Sequence, residues 1–154
     1  MKFYFTILIL MIFSICNSQK KTSKYEIDKK CYSLTQQQPL NGCLTEKAII
    51  LKKKVEDKYN CILNYLQKKI ENCNKEKCEE FEYYKKHKDN LISSQKTWRT
   101  LKKQNAEFWD GGGGSITPMY IAESVIQDCK DRLNWLDNVI EEAEQGGTEI
   151  SKCQ

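Results

Sequence analysis

The stretch Trp109-Asp110-Gly111-Gly112-Gly113-Gly114-Ser115-Ile116-Thr117-Pro118 decides how this chain folds. A glycine inside a helix costs about 1 kcal/mol relative to alanine, so four in succession end any helix that reaches them. Thr117 followed by Pro118 is typical of a new helix, because threonine caps a helix N-terminus and proline is tolerated in the first turn. The stretch therefore predicts a turn between two helices.

Apolar residues on both sides of this turn recur every three or four positions, which is the spacing of one face of a helix. The third predicted helix starts at Thr117 and ends at Gly146-Gly147, with an apolar stripe of Ile121, Val125, Cys129, Leu133, Leu136, Ile140 and Ala143. The second runs from about Glu76 to Trp109, with a stripe of Phe81, Tyr84, Leu91, Trp98, Leu101 and Phe108. The first runs from about Cys43 to a break at Asn72-Cys73-Asn74, with a stripe of Leu44, Ala48, Leu51, Val55, Tyr59, Ile62, Leu66 and Ile70.

Three amphipathic helices of similar length with short connections predict an all-α, antiparallel three-helix bundle. Upstream of it, Gln36-Gln37-Gln38-Pro39 is typical of an irregular loop between Cys31 and Asn41. The expected organisation is a signal peptide at 1–18, a flexible lead-in and loop at 19–42, the helical domain at 43–146 and a C-terminal tail at 147–154.

The composition agrees with one helical domain and excludes several classes of protein. The chain has 154 residues, of which 30% are charged and 40% hydrophobic, and only 2 are proline. That is too few turn signals for an all-β sandwich. The single histidine, His87, excludes a multi-histidine metal site, and we expect no cofactor. A net charge of +4 with interspersed acids does not indicate nucleic-acid binding.

The N-terminal segment has the layout of a secretory signal peptide. Lys2 is followed by an apolar run from Phe3 to Ile15, and Cys16-Asn17-Ser18 places small side chains before Gln19. The run is shorter than the ~20 residues of a membrane-spanning helix, so we expect no membrane insertion after cleavage. The alternatives are a lipoprotein acylated at Cys16 and a retained anchor.

Export to an oxidising compartment favours disulfides among the cysteines of the mature chain. These are Cys31, Cys43, Cys61, Cys73, Cys78, Cys129 and Cys153. The odd number leaves a thiol free or allows a covalent dimer. A zinc site is the alternative, but the sequence contains no CxxC. Helix ends that coincide in an up-down-up bundle predict that Cys73, Cys78 and Cys153 lie at the same end.

A set of features in fixed order carries a resemblance to a known family. They are Cys31, Asn41-Gly42-Cys43, Tyr59, Gln95, Trp98, Arg99, the glycine turn with Ser115 and Pro118, and Arg132 with Leu136. Over roughly 31–140 this pattern resembles the N-terminal domain of the LprI-type lysozyme-inhibitor family, which consists of small exported bacterial helical domains. The resemblance implies that Cys31 and Cys43 form a disulfide. The chain departs from the family pattern at Val55-Glu56, at Asn105 and at Ser124.

The resemblance implies a periplasmic or secreted protein that binds a lysozyme and occludes its cleft without covalent chemistry. The alternative is a structural or protein-interaction module of the cell envelope with no lysozyme target. An enzyme is not expected. Loss of Lys2 with the signal peptide lowers the charge from +4 to +3, and animal lysozymes of the common type are also basic, so net repulsion would slow encounter.

The candidate binding residues lie mainly at the glycine turn. They are Gly112, Gly113, Gly114, Ser115 and Thr117, with Arg99 and Arg132 as cations for the partner. Arg99 is expected to neighbour the turn. The structural alternatives are that the glycines only close a hairpin and that both arginines are structural, with the head of Arg132 paired to a carboxylate. Trp98 is interpreted as core packing, with an interface hot spot as its alternative. The acids Asp128, Asp131, Glu141 and Glu142 are interpreted as solvated carboxylates rather than a catalytic pair.

Overall fold

The computed structural model describes residues 29–145 together with Ile150 and Cys153. Within these residues the chain forms four helices and no strand: α1 (Lys29–Tyr32), α2 (Gln37–Glu76), α3 (Phe81–Asp110) and α4 (Thr117–Gln145). The predicted signal peptide, including Cys16, lies outside the described residues. No described helix is both long enough and apolar enough to cross a membrane.

The three long helices pack against one another as a bundle. α2 and α3 run in opposite directions, because Glu56 of α2 contacts Gln95 of α3, whereas Gln67, further along α2, contacts Lys88, further back on α3. α4 then returns parallel to α2. The all-α three-helix bundle expected from the sequence is confirmed.

The first long helix begins earlier than the sequence predicts. α2 starts at Gln37, after Gln36 in extended backbone, and not at Cys43. The expectation of an irregular loop is therefore wrong from Gln37 onward. Pro39 lies in the first turn of α2, where backbone N–H groups have no partner within the helix, so the missing N–H of proline costs nothing.

The same helix also ends later than the sequence predicts. α2 continues through Asn72-Cys73-Asn74 to Glu76, so the predicted break there is wrong. Lys77 adopts the left-handed conformation with φ 56°, and the backbone N–H of Cys78 donates to the Cys73 carbonyl at 3.0 Å. This 6→1 hydrogen bond satisfies a terminal carbonyl, as in a Schellman ending, but without the usual glycine.

The core comes from the predicted stripes of α2 and α4, but only in part from that of α3. Leu101 and Phe108 were expected in the core and are 52% and 76% exposed. The face of α3 that turns inward carries Leu91, Gln95, Trp98, Lys102 and Asn105 at alternating spacings of four and three. Several of these inward residues are polar, so apolar periodicity does not identify this face of α3 correctly.

Three disulfides fasten the described part of the chain. Cys31 is joined to Cys43, the pair implied by the family resemblance, and Cys73 is joined to Cys78. Cys153 is joined to Cys61, which lies about 18 Å of helical rise from Cys73. The expectation that Cys153 lies at the same end as Cys73 and Cys78 is therefore wrong, because the tail docks part-way along α2.

The described cysteine without a disulfide is Cys129, which is fully buried in the core of α4. A covalent dimer through Cys129 would require the helix to leave the bundle, so the structure argues against that expectation. Burial raises the pKa of its thiol to about 11, with a smaller opposing effect from Lys102 and Lys52. Cys129 behaves as a small apolar core residue.

Candidate protein-interaction surface

The glycine turn is an anchored loop rather than a flexible linker. Gly113 and Gly114 both have positive φ, at 60° and 94°, a conformation that side-chain-bearing residues rarely adopt. The Thr117 hydroxyl donates to the Gly113 carbonyl at 2.9 Å. Across the bundle end, the Asn41 side-chain amide donates to the Ser115 carbonyl at 2.8 Å. These bonds hold the turn against the start of α2.

The predicted binding residues at the turn divide into two groups. Gly112, Gly113, Gly114 and Ser115 are exposed at the end of the bundle. Thr117 is only 9% exposed, and its hydroxyl is engaged within the turn. Thr117 therefore supports the turn, while the glycines and Ser115 form its outer surface.

Arg99 does not reach this end of the molecule. It lies eleven residues before Asp110, which is about 16 Å along α3. Its guanidinium donates to the Glu56 carboxylate and lies 5.7 Å from the centre of the Tyr59 ring. The hydrogen bond to Glu56 raises its pKa, against a smaller lowering by burial. The expectation that Arg99 neighbours the turn is wrong.

Arg132 is part of the core and not of an open surface. It is 6% exposed and donates from Nε to Gln95 Oε1 at 2.9 Å and from Nη2 to Ser94 Oγ at 3.0 Å. Its guanidinium also stacks on Trp135, 4.1 Å from the ring centre. Burial lowers its pKa to about 10. The sequence predicts a carboxylate as the partner of Arg132. The structure instead pairs the guanidinium with the amide oxygen of Gln95 and the hydroxyl of Ser94.

The family-pattern residues mostly build this interior rather than a surface. Tyr59, Gln95 and Leu136 are buried, and the half-buried Trp98 donates from its indole N–H to the Asp128 carbonyl at 3.1 Å. The exceptions are Arg99 and the glycine turn with Ser115 and Pro118, which are exposed. The pattern shared with the family thus specifies how α2, α3 and α4 lock together.

A groove opens beside the glycine turn, between the first half of α2 and the start of α4. Its volume is about 440 Å³. Its walls include Ala48, Ile49, Gly113, Pro118 and Ile121. Asp110 and Lys52 stand among its lining residues, so the groove is apolar with one charge of each sign.

Exposed rings and an isoleucine flank the turn, and we call Phe108, Trp109, Ile116 and Tyr120 the aromatic ridge. Their exposed fractions are 76%, 41%, 43% and 38%, respectively. The Trp109 and Tyr120 rings stack with centroids 5.2 Å apart, and Phe108 meets Trp109 edge-on at 5.1 Å. Sequence reasoning missed this surface because it assigned Phe108 to the core. The signal was present in the aromatic pair directly before the glycines.

The N-terminal helix supports the same end of the bundle. The Tyr32 hydroxyl donates to Glu123 Oε1 of α4 at 2.7 Å. Burial raises the pKa of Tyr32 to about 12, with further contributions from Glu123. The Cys31–Cys43 disulfide fixes α1 to the first turns of α2. A disulfide and a hydrogen bond thus hold α1 against α2 and α4 at the end that carries the turn, the ridge and the groove.

Two of the acids and the histidine noted in the sequence make contacts with neighbouring side chains. Asp128 accepts from Asn105 Nδ2 at 3.0 Å, and Asp131 accepts from Gln127 on its own helix. Burial raises the pKa of Asp128, although the hydrogen bond from Asn105 opposes this. His87 is exposed, with its ring 4.2 Å from that of Tyr83.

One group of described residues has the spacing of metal ligands. The donor atoms of Cys73, Cys78 and Glu80 lie within 4.8 Å of one another. Both sulfurs are joined in a disulfide, which removes the thiolates that zinc requires. The disulfide form of this group therefore offers a metal only the exposed carboxylate of Glu80.

Comparison with known proteins assigns the chain to a family. The family model described as lysozyme inhibitor LprI matches residues 28–136. This range spans α1, α2, α3 and most of α4, and therefore the turn, the ridge and the groove. No curated protein and no solved structure gives a significant match to the chain. The chain belongs to the LprI lysozyme-inhibitor family.

Proposed function

We propose that this protein inhibits a lysozyme by binding it without covalent chemistry. The observation that carries the proposal is the family match over residues 28–136, which covers nearly all of the helical bundle. The protein then acts as a binding domain and not as an enzyme.

The end of the bundle at the glycine turn is the proposed contact surface. Exposed rings, a narrow turn with little side-chain bulk and an apolar groove occur together there. Aromatic side chains that rest on a rigid support are typical anchors of protein interfaces. Because Gly113 and Gly114 carry no side chain, the turn can approach a partner closely. Covering the mouth of a lysozyme cleft with this end would exclude the cell-wall substrate.

Export of the mature chain belongs to the same proposal. The layout of residues 1–18 supports it, as do three disulfides that require an oxidising compartment. Mass spectrometry of the exported protein tests it, with a chain that begins at Gln19 as the expected result. A mass that includes acyl chains on Cys16 would establish a lipoprotein instead.

The inhibition is tested by following the lysis of bacterial cell walls by a lysozyme, with and without the purified mature domain. We expect the domain to slow lysis in a concentration-dependent and reversible manner. Unchanged lysis at saturating domain concentrations would contradict the proposal and favour an envelope-interaction module.

A bulky substitution on the turn tests the contact surface. Gly111 adopts right-handed helical backbone, and nothing lies within 4 Å of a Cβ placed there, so the backbone accepts a side chain at this position. Thermal unfolding of Gly111→Trp checks that the bundle is intact. We expect Gly111→Trp to weaken inhibition at least about tenfold, the size of a lost interface anchor. The control is Lys68→Trp, on the exposed face of α2, which is expected to inhibit like the wild type. Equal inhibition by both variants would place the contact elsewhere.

A further inference from the structure

Two segments of the chain that meet at the aromatic ridge contain no basic residues. The sequence contains no Lys, Arg or His from Gln104 to Cys129, or from Cys31 to Glu46. The acids in these two segments are Glu46, Glu107, Asp110, Glu123 and Asp128. The chain as a whole has a net charge of +4, so its positive charge is concentrated in the other parts of the molecule.

The fold brings these two segments together at one end. Asn41 is bonded to Ser115 at 2.8 Å, and Tyr32 is bonded to Glu123 at 2.7 Å. Asp110, at the C-terminus of α3, stands directly beside Trp109. The charged residues of the segments that carry the ridge are therefore all acidic, and the nearest basic residues, among them Lys52 of the groove, lie at its borders. One of these, Lys103, forms an exposed ion pair with Glu107 at 3.5 Å.

We infer that the aromatic ridge binds a protein surface whose apolar recess is bordered by basic side chains. Under the proposed function, this surface is the rim of the cleft of a basic lysozyme. Charge complementarity selects this occupant. An anionic glycan, an anionic lipid surface or a cleft bordered by carboxylates would meet like charge at this end.

This uneven distribution of charge changes what the net charge implies for the association of the protein with a basic partner. Two molecules of positive net charge repel when they are far apart compared with the Debye length of about 8 Å at physiological salt. At shorter distance the local charges dominate, so a basic partner is attracted to the acidic end and repelled by the remainder. Complementary local charge thereby selects the orientation in which the ridge meets the partner.

The inference rests on the proposed function, and it is tested by titrating the purified mature domain against a basic animal lysozyme of the common type. The ring variants are Phe108→Ala, whose ring is mostly exposed, and Trp109→Ala. The charge variant combines Glu107→Lys with Asp110→Lys. A lysine near the C-terminus of α3 interacts favourably with the helix dipole, so the fold tolerates it.

The matched controls lie at the opposite end of α3. Tyr83→Ala removes a ring that is 58% exposed, and the double variant Glu79→Lys/Glu82→Lys reverses two exposed charges at the start of the helix, so that its net charge equals that of the charge variant. Thermal unfolding of every variant confirms that the bundle is intact.

We expect Trp109→Ala to weaken binding at least about tenfold and Phe108→Ala to weaken it severalfold, as for anchors within an interface. The charge variant should bind more weakly, mainly because it associates more slowly. Added salt should weaken binding by the wild type but not binding by the charge variant. The controls should bind within about twofold of the wild type, as surface residues outside an interface do.

The outcomes separate this inference from the proposed function. A wild type that binds lysozyme while all ridge and charge variants bind equally well overturns the inference and leaves the function standing. Tighter binding by the charge variant overturns the sign of the complementarity. Absence of any binding by the wild type overturns both.

Discussion

Arg132 of α4 donates from Nε to Gln95 Oε1 of α3 at 2.9 Å, and both side chains are almost completely buried. Gln95 in turn donates from Nε2 to Glu56 Oε1 of α2 at 3.3 Å. This chain of hydrogen bonds joins all three long helices at the centre of the bundle. A buried cation is tolerated there because an amide, a hydroxyl and the Trp135 ring take the place of water.

We therefore expect Gln95→Leu to destabilise the fold by about 2–4 kcal/mol, because it leaves the buried guanidinium of Arg132 without its Nε acceptor. Urea unfolding followed by circular dichroism measures the change. Gln104→Leu, on the exposed side of the same helix, is the matched control and should stay within about 0.5 kcal/mol of the wild type. If Gln95→Leu is as stable as this control, the bond has no structural role.

The same residues show how far the sequence could predict the fold. Apolar periodicity correctly predicted the faces of α2 and α4, because their inward positions are occupied mainly by Leu, Ile and Val. On α3 it was right for Leu91 and Trp98 but missed the inward positions of Gln95 and Lys102. It also moved Leu101 into the core, although that residue is half exposed. Polar residues at core spacing become interpretable only when their partners on other helices are known.

The candidate site was predicted only in part, for a comparable reason. The glycine turn was recognised from composition alone, since four successive glycines have few other uses within a helical domain. Arg99 was placed beside it because the sequence does not show which cation faces which carboxylate. The stacking of Trp109 on Tyr120 joins residues on either side of the turn, so it depends on the path of the backbone between them.

Cys129 should resist alkylation in the folded protein. Its thiol is buried, and its pKa is raised to about 11, so both access and the thiolate fraction are low near neutral pH. For the mature domain without reductant, we expect iodoacetamide to label one thiol per chain in denaturant and to label the native chain at least about a hundredfold more slowly. Rapid labelling of the native protein would mean that Cys129 reaches solvent and would restore the covalent dimer as an interpretation.

Asp128→Asn should change how stability depends on pH. Burial raises the pKa of Asp128, so the folded state binds this proton more tightly than the unfolded state does. Stability contributed by this group is therefore present at acidic pH and is lost as pH rises through the raised pKa. Asparagine removes the buried charge, while its side-chain oxygen still accepts from Asn105.

We expect the asparagine variant to be at least as stable as the wild type at pH 7, and its advantage to shrink as the pH falls towards the ordinary carboxyl pKa of about 4. Urea unfolding of both proteins across this range gives the comparison. The control is Glu141→Gln, which removes an exposed carboxylate on the same helix thirteen residues away from Asp128 and is expected to show no such trend. An advantage that grew on acidification would show that the ionised carboxylate stabilises the fold.

The disulfides should contribute to stability in the order of the chain lengths that they close. Cys61 and Cys153 are 92 residues apart, whereas Cys73 and Cys78 are 5 apart. In the loop-entropy description, the cross-link restricts the unfolded chain by about 4–5 kcal/mol in the first case and about 2 kcal/mol in the second. Removal of the first also releases the tail, in which Ile150 is buried.

Urea unfolding of the double variants Cys61→Ser/Cys153→Ser and Cys73→Ser/Cys78→Ser, without reductant, provides the comparison. We expect the first to lose about 2–3 kcal/mol more than the second. Cys31→Ser/Cys43→Ser, with a separation of 12, should lie between them at about 3 kcal/mol. If the short Cys73–Cys78 link proved the most important, its role would lie in the folded state, where it clamps the left-handed turn at Lys77 that ends α2.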